Sequence, residues 1–154
     1  MRKEQKIIWL SHISGESRFD DASFDRIIST EVLEHVESPF QALHEINKIL
    51  KTRGKFIVSN PNSHHIARII FPSHIAKSEI LSRNINCFDL AQWKALFAMW
   101  GFKLVWYKGW PNTWIFPPWK GVGKLLDRIF RKKERFKQFL FYDAVKVKSL
   151  NRKQ

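Results

Sequence analysis

Two carboxylates and an imidazole lie close together in the segment TEVLEHVESP, residues 30 to 39. Glu31, Glu34 and His35 have the spacing i, i+3 and i+4, so one helical turn would place their side chains on a single face. An imidazole beside a carboxylate can remove a proton from a reacting hydroxyl or amine. The sequence therefore predicts His35 and Glu34 as a candidate catalytic pair.

Two other interpretations of these residues are open. Carboxylate oxygens and an imidazole nitrogen together suit Mg²⁺, Mn²⁺ or Zn²⁺, and a metal held by Glu31, Glu34 and His35 would orient and acidify a substrate hydroxyl. Alternatively, His35 only bonds to nearby backbone at the start of a helix. Our prediction is that no metal is bound.

The cluster follows one predicted strand and precedes a predicted helix. Residues 24 to 30, FDRIIST, and residues 55 to 62, KFIVSNPN, have the nearly continuous apolar pattern of parallel strands that are covered on both faces. Between them, Ser38-Pro39 predicts a helix start, and Gly54 predicts a left-handed residue that lets the chain leave the helix. This order predicts a right-handed βαβ unit.

The second half of the chain continues with a helix and two strands. Residues 88 to 102 have one apolar face, with Asp89 as a candidate cap and Gly101 at the end. Residues 102 to 110 and 140 to 150 show partial alternation, which predicts strands. An aromatic and basic stretch separates them.

Composition predicts one compact domain. The chain has 154 residues, of which 44% are apolar, and its single cysteine excludes an internal disulfide. No apolar run reaches the roughly 18 residues of a membrane span, and the start lacks a signal-peptide pattern, so we predict a cytoplasmic protein. Residues 78 to 154 contain 16 Lys or Arg against 5 Asp or Glu, so an anionic partner would meet this half.

Five landmarks in a fixed order carry a family resemblance. They stand in DASFDRIISTEVLEHVESPFQALHEINKILKTRGKFIVSNPN, continued by FDLAQWKALFAMWGFKLV. The landmarks are an acidic Ser-Phe-Asp start, an apolar strand with Leu-Glu-His-Val, a Pro-led helix, a second strand ending in Pro-Asn, and a later helix ending in Gly-Phe. Over roughly residues 19 to 106 the chain resembles the class I methyltransferases that use S-adenosylmethionine (SAM).

The resemblance implies an α/β Rossmann-like sheet with flanking helices. It makes the four predicted strands the family's strands 4, 5, 6 and 7, with strand 7 antiparallel, and it implies SAM at the strand carboxyl ends. It also implies that Ser29, Thr30 and Glu31 line the cofactor pocket. Asn60 and Asn62 would belong to the substrate-side loop.

The resemblance covers only the C-terminal portion of the family domain. Family strands 1 and 2 have no counterpart, and no Gly-x-Gly turn occurs before residue 24. We therefore expect one truncated domain, with a strand 3 remnant and loop in 1–23, a core in 24–110, an insertion in 111–139 and a last strand in 140–150. Alone, it would be weak or inactive.

Loss of those strands would leave an unpaired edge on the strand at residues 24 to 30. Three outcomes are open. Residues 7 to 13 move beside that strand, or a partner chain covers it, or the isolated chain is poorly stable.

The aromatic and basic insertion has three interpretations. Apolar residues at helical spacing from Val122 to Phe130, with Lys and Arg opposite and Trp110, Trp114 and Trp119 nearby, suit an anionic membrane surface. On the membrane interpretation, the methyl acceptor would be a lipid-linked molecule rather than another small molecule. The alternative function for the whole chain is a non-catalytic module that docks on a membrane or protein. The second interpretation is a lid that packs over the pocket with a solvated basic face. Binding of nucleic acid is the third, and no known motif accompanies it.

Overall fold

The computed structural model describes residues 5–9, 18–65, 68–69, 72–110, 121, 125, 128–129, 133 and 139–149. Its helices are α1 (Pro39–Ile49), α2 (Pro72–Leu81) and α3 (Leu90–Met99). Its strands are β1 (Ile7–Trp9), β2 (Phe24–Thr30), β3 (Leu50–Pro61), β4 (Phe102–Trp110) and β5 (Phe139–Lys146). No helix of this described part is long and apolar enough to cross a membrane.

The five strands form one mixed sheet in the order β1-β2-β3-β5-β4. β1, β2 and β3 are parallel, and β5 runs antiparallel to both β3 and β4. Within the βαβ unit, Ile27 pairs with Phe56 and Ile28 with Ile57. The predicted α/β class, with strands 24–30 and 55–62 side by side and parallel, is confirmed.

Strand β1 covers the edge of β2 that we expected to be unpaired if no other segment replaced the missing strands. Ile8 pairs with Ile27, and the Lys6 carbonyl accepts hydrogen bonds from the backbone N–H groups of Asp25, at 2.9 Å, and Arg26, at 3.2 Å. Of the three expected outcomes, the structure therefore has the first. The pairing satisfies backbone groups that would otherwise form an exposed, adhesive edge.

The core lies on the face of the sheet that carries the helices. Strand residues at alternate positions are buried there, as the strict alternation of β5 shows. From α3, Trp93 and Phe97 pack on Tyr142, with ring centroids 6.2 and 5.4 Å away. This packing fixes the helices relative to the strand ends where the candidate site lies.

Both predicted helix starts are confirmed. The Ser38 hydroxyl accepts a hydrogen bond from the backbone N–H of Gln41 at 3.2 Å, with Pro39 in the first turn. The Asp89 carboxylate accepts a hydrogen bond from the backbone N–H of Gln92 at 2.7 Å, and the Gln92 side-chain oxygen accepts one from the backbone N–H of Asp89 at 2.9 Å. These caps set where α1 and α3 begin.

The prediction for Gly54 is wrong, because the left-handed residue is its neighbour Arg53, with φ 66°. Gly54 is required for space instead. A Cβ there would lie 2.8 Å from Leu50 Cδ1 and 2.8 Å from the Lys51 carbonyl oxygen. Strand bounds also differ from those predicted, since β3 already begins at Leu50 and β5 ends at Lys146.

Most of the predicted insertion lies outside the described residues. This applies to residues 111–120 and to most of the predicted amphipathic helix, including Val122, Leu126 and Phe130. The described Leu125 and Ile129 are helical and exposed.

Candidate functional site

The candidate site forms where β2 and β3 end side by side. Thr30, the last residue of β2, pairs with Ser59, and the next backbone N–H, from Glu31, donates to the Ser59 carbonyl at 3.1 Å. Glu31 has φ 53°, which turns the chain sharply out of the sheet. The turn places the next residues over the carboxyl ends of both strands.

A single turn, rather than a longer helix, forms within the Glu-Glu-His cluster. The His35 N–H donates to the Val32 carbonyl at 3.0 Å, and Val32, Leu33 and Val36 are buried in the core. Because these apolar side chains anchor the turn, Glu34 is left 1% exposed while the His35 side chain remains 43% exposed. The turn carries Glu34 and His35, whereas Glu31, with φ 53°, precedes it.

Glu34 is a buried carboxyl group with specific partners. The Asn60 side-chain amide donates to Glu34 Oε2 at 3.0 Å. The Glu34 backbone carbonyl accepts two further bonds, from the N–H of Ile85 at 2.8 Å and of Asn86 at 3.0 Å. Segments distant in sequence therefore hold this residue in place from two sides.

Glu31 and Glu34 place two carboxyl groups close together. The Ser59 hydroxyl donates to Glu31 Oε1 at 2.7 Å. Burial of the carboxyl group, together with the nearby Glu34 charge, raises the pKa of Glu31 to about 7 although the residue as a whole is exposed. Burial also raises the pKa of Glu34. Both shifts favour the neutral carboxyl form over the charged one.

His35 has its two ring nitrogens in different environments. Nδ1 lies 3.0 Å from the Arg83 carbonyl oxygen, which can only accept a hydrogen bond, so Nδ1 carries the proton. Nε2 lies 3.9 Å from Glu34 Oε1. In the neutral ring Nε2 is then unprotonated, half-exposed and next to a carboxyl group, which is the arrangement of a general base.

The other predicted site residues are divided between the site and its surroundings. Ser29 is fully buried at the end of β2 and its hydroxyl has no partner, whereas Thr30 is exposed. Asn60 faces Glu34, and its amide oxygen has no partner. Asn62 is buried and accepts a bond from the backbone N–H of His64 at 3.1 Å, so part of its role is to shape the turn after β3.

Sequence reasoning missed the segment that supports His35 and Glu34 from outside the βαβ unit. Arg83, Ile85 and Asn86 contribute backbone groups, and the Asn86 side chain donates to the Val36 carbonyl. Such contacts leave no local pattern in a sequence. It also missed His65, which is 5% exposed with Nδ1 unpaired and whose pKa burial lowers to about 4.

The geometry gives no support to the metal interpretation. Among the described residues, no three His, Cys, Asp or Glu side chains are arranged to hold a metal ion. The two carboxyl groups instead accept hydrogen bonds from the Ser59 hydroxyl and the Asn60 amide.

Comparison with known proteins agrees with this geometry. Residues 2–58 match the family model of the methyltransferase domain, and solved class I methyltransferases share the fold of the chain. Residues 2–58 thus resemble a methyltransferase domain, and the chain has the fold of class I SAM-dependent methyltransferases. The predicted resemblance to this family and the predicted fold class are confirmed.

Two solved structures illustrate the shared methyltransferase fold. The complex between the Trm112 methyltransferase activator and a methyltransferase from Haloferax volcanii gives a TM-score of 0.61 at 17% identity, covering 86% of this chain and 58% of that chain. A SAM-dependent methyltransferase of Thermotoga maritima gives 0.59 at 19% identity, with coverages of 85% and 60%. At these identities the likeness establishes the fold.

One curated relative of the chain is an uncharacterised protein of Methanocaldococcus jannaschii. It is 33% identical over 141 residues, which cover 83% of this chain and 56% of the relative. The chain therefore spans just over half the length of the curated relative that it matches.

The family cofactor, SAM, fits the residues of this chain only in part. The unpartnered Ser29 hydroxyl and Asn60 amide oxygen offer polar atoms to a ligand at the strand ends. However, residues 1 to 24 contain one glycine, Gly15, so they provide no Gly-x-Gly turn for close backbone approach to a cofactor. The residues present thus offer polar atoms at the strand ends but no glycine turn.

Proposed function

We propose that the domain to which this chain belongs transfers the methyl group of SAM to an oxygen or nitrogen of a small-molecule or lipid-linked acceptor. The observation that carries the proposal is the meeting of Glu34, His35 and the ends of β2 and β3 in one place. Ligands of open α/β sheets bind at this edge.

His35 would act as the general base. Its Nε2 would accept the acceptor's proton as the nucleophile attacks, while the Arg83 carbonyl fixes the tautomer through Nδ1. The Glu34 carboxyl group, 3.9 Å from Nε2, would stabilise the resulting imidazolium. Asn60 would be a positioning residue, because its amide orients Glu34.

Ser29, Thr30 and Glu31 would border the cofactor. SAM supplies an electrophilic methyl group when bound, and this chain's residues would orient the acceptor towards it. Because the glycine turn has no counterpart in residues 1 to 24, we expect the chain alone to bind SAM weakly. A partner chain could extend the sheet at the outer edge of β1.

A lipid-linked acceptor is favoured by the connection between β4 and β5. Trp110 pairs with Phe139, which also pairs with Pro61, so the connection leaves and re-enters the sheet at the edge that holds the site. Its described apolar residues, Leu125 and Ile129, are exposed. A non-catalytic membrane-docking or protein-docking module is the second candidate, favoured by these exposed residues and the missing glycine turn.

The test separates these candidates by binding and by turnover. Calorimetry that detects SAM binding by the chain, even with weak affinity, supports the enzyme, whereas no heat at millimolar SAM supports the docking module. Transfer of labelled methyl groups from SAM is then measured in total lipid extract and in a small-molecule fraction. We expect His35→Gln to lower the rate by about 10²- to 10⁴-fold.

His44→Gln is the matched control for this substitution. His44 lies on α1 beside Glu45, with Nδ1 3.5 Å from Glu45 Oε1, and it is not part of the candidate site. Equal rates in the wild-type and His35→Gln proteins would exclude His35 as the base.

A further inference from the structure

A β-bulge in β4 changes which side chains this edge strand presents to solvent. Leu104 pairs with Ala144 and Trp106 with Asp143, so Val105 is an extra residue between them. Without the bulge, strict alternation would place Trp106, Lys108 and Trp110 on the same face as Leu104. With it, Tyr107 joins Leu104 on the helix-covered face, and those three residues point away from the core.

Four outward residues of β4 alternate between cationic and aromatic side chains. We call Lys103, Trp106, Lys108 and Trp110 the Lys–Trp ladder. All four are exposed, and 52% of Trp106 and 53% of Trp110 face solvent. The two indoles are four residues apart, about 13 Å along a strand.

The surroundings of the Lys–Trp ladder are apolar and positively charged. Val105 at the bulge is 61% exposed, and the Trp110 ring contacts Phe141, with centroids 6.2 Å apart. The neighbouring acid, Asp143, is already paired with Lys55 at 3.4 Å. The formal charge of the whole chain is +13, so a second copy of the chain would be repelled from this surface.

We propose that the Lys–Trp ladder docks the protein on an anionic lipid membrane. Indoles are favoured at the headgroup level, where the ring is in contact with apolar chains and the N–H with water, and lysines beside them interact with lipid phosphates. Exposed Val105 adds aliphatic surface that a bilayer accommodates and that base stacking does not use. These features favour a membrane over single-stranded nucleic acid as the binding partner of the Lys–Trp ladder.

The location of the Lys–Trp ladder relates docking to the candidate site. Trp110 is the ladder residue nearest the carboxyl edge of the sheet, where Phe139 and Pro61 follow across the strands. Docking through this strand brings that edge close to the bilayer, so the acceptor is a lipid or lipid-linked molecule. This consequence for the acceptor rests on the proposed function, whereas docking itself does not.

The experiment measures co-sedimentation of the full chain with vesicles of phosphatidylcholine alone or with 30% phosphatidylglycerol, at low and high salt. We expect salt-sensitive binding to the anionic vesicles. Lys103→Gln/Lys108→Gln should weaken partitioning about 25-fold, because each cation near the surface accounts for about fivefold. Trp106→Ser/Trp110→Ser should weaken it by about tenfold or more.

The control is Lys77→Gln/Ile80→Ser on α2, which removes one exposed cation and one exposed apolar residue from a different surface. It should bind vesicles like the wild type. Binding that is unchanged in both ladder variants, or absent in the wild type, overturns the proposal. So does a wild-type chain that binds a single-stranded RNA 20-mer through the ladder but no anionic vesicle. None of these binding measurements requires methyl transfer. Failure of the docking proposal can therefore be distinguished from failure of the proposed function.

Discussion

Asn60 on β3 donates a hydrogen bond to Glu34 Oε2 at 3.0 Å, and both side chains are buried. The bond joins the turn after β2 to the end of the neighbouring strand. A buried carboxyl group that loses such a donor retains its desolvation cost without compensation. The geometry of the candidate base therefore depends on a residue that does not itself contact His35.

We expect Asn60→Ala to lower the free energy of unfolding by about 1 to 3 kcal/mol, because Glu34 would remain buried without its amide donor. The measurement is urea-induced unfolding followed by circular dichroism. Ser29→Ala is the matched control on the neighbouring strand. Its hydroxyl is buried but unpartnered, so we expect unchanged or slightly higher stability. An equal loss in both variants would contradict the assigned role of Asn60.

Glu31 should make the stability of the protein depend on pH. Its pKa is raised from 4.5 to about 7, so between these values the folded state binds more protons than the unfolded state. This contribution is present below pH 4.5 and is lost as the pH rises towards 7. We expect Glu31→Gln to remove that decline when unfolding free energies of the two proteins are compared from pH 4.5 to 7.5. Parallel curves would show that the carboxyl pair does not titrate in this range.

The elements that position the site could largely be predicted because their signals are local. Ser38-Pro39 and Asp89 specify helix starts through bonds to residues three positions ahead. The apolar run at 24–30 predicts a strand, and that strand pairs with β3 as expected, although buried and less buried residues alternate along its second half. Such signals need no knowledge of the tertiary structure.

The details of the site could not be predicted because they depend on distant segments. The Arg83 carbonyl that fixes the His35 tautomer lies 48 positions away in sequence, and the bulge at Val105 is not marked by glycine or proline. The prediction for Gly54 gave the wrong reason for the glycine, because crowding by Leu50, rather than a left-handed backbone, excludes a side chain there. In each case packing determined the outcome, and packing leaves no short pattern.

His65 should make the stability of the protein depend on pH with the sign opposite to that expected for Glu31. Burial lowers its pKa from 6.5 to about 4, so between these values the unfolded state binds more protons. Stability is retained above pH 6.5 and is lost as the pH falls towards 4, by up to about 3 kcal/mol. We expect His65→Gln to flatten this acid limb in urea unfolding from pH 4 to 7. The exposed His64→Gln serves as the control, and an equal effect there would argue against burial as the cause.

Gly101 should tolerate no side chain. It ends α3 with φ +76°, and a Cβ would lie 2.5 Å from the Lys148 carbonyl oxygen and 3.0 Å from Asn47 Nδ2. Asn47 Nδ2 donates to the carbonyls of Trp100 and Lys148, both at 2.9 Å, so the clash would disturb a bridge between α1 and the residues after α3 and β5. We expect Gly101→Ala to lower the free energy of unfolding by at least about 2 kcal/mol, because of left-handed strain and lost hydrogen bonds.

Gly121→Ala is the control, because a Cβ there meets nothing within 4 Å and alanine favours the helical conformation of that residue. Thermal unfolding should show a lower midpoint for Gly101→Ala alone, and an unchanged midpoint would mean that Lys148 can move away without cost.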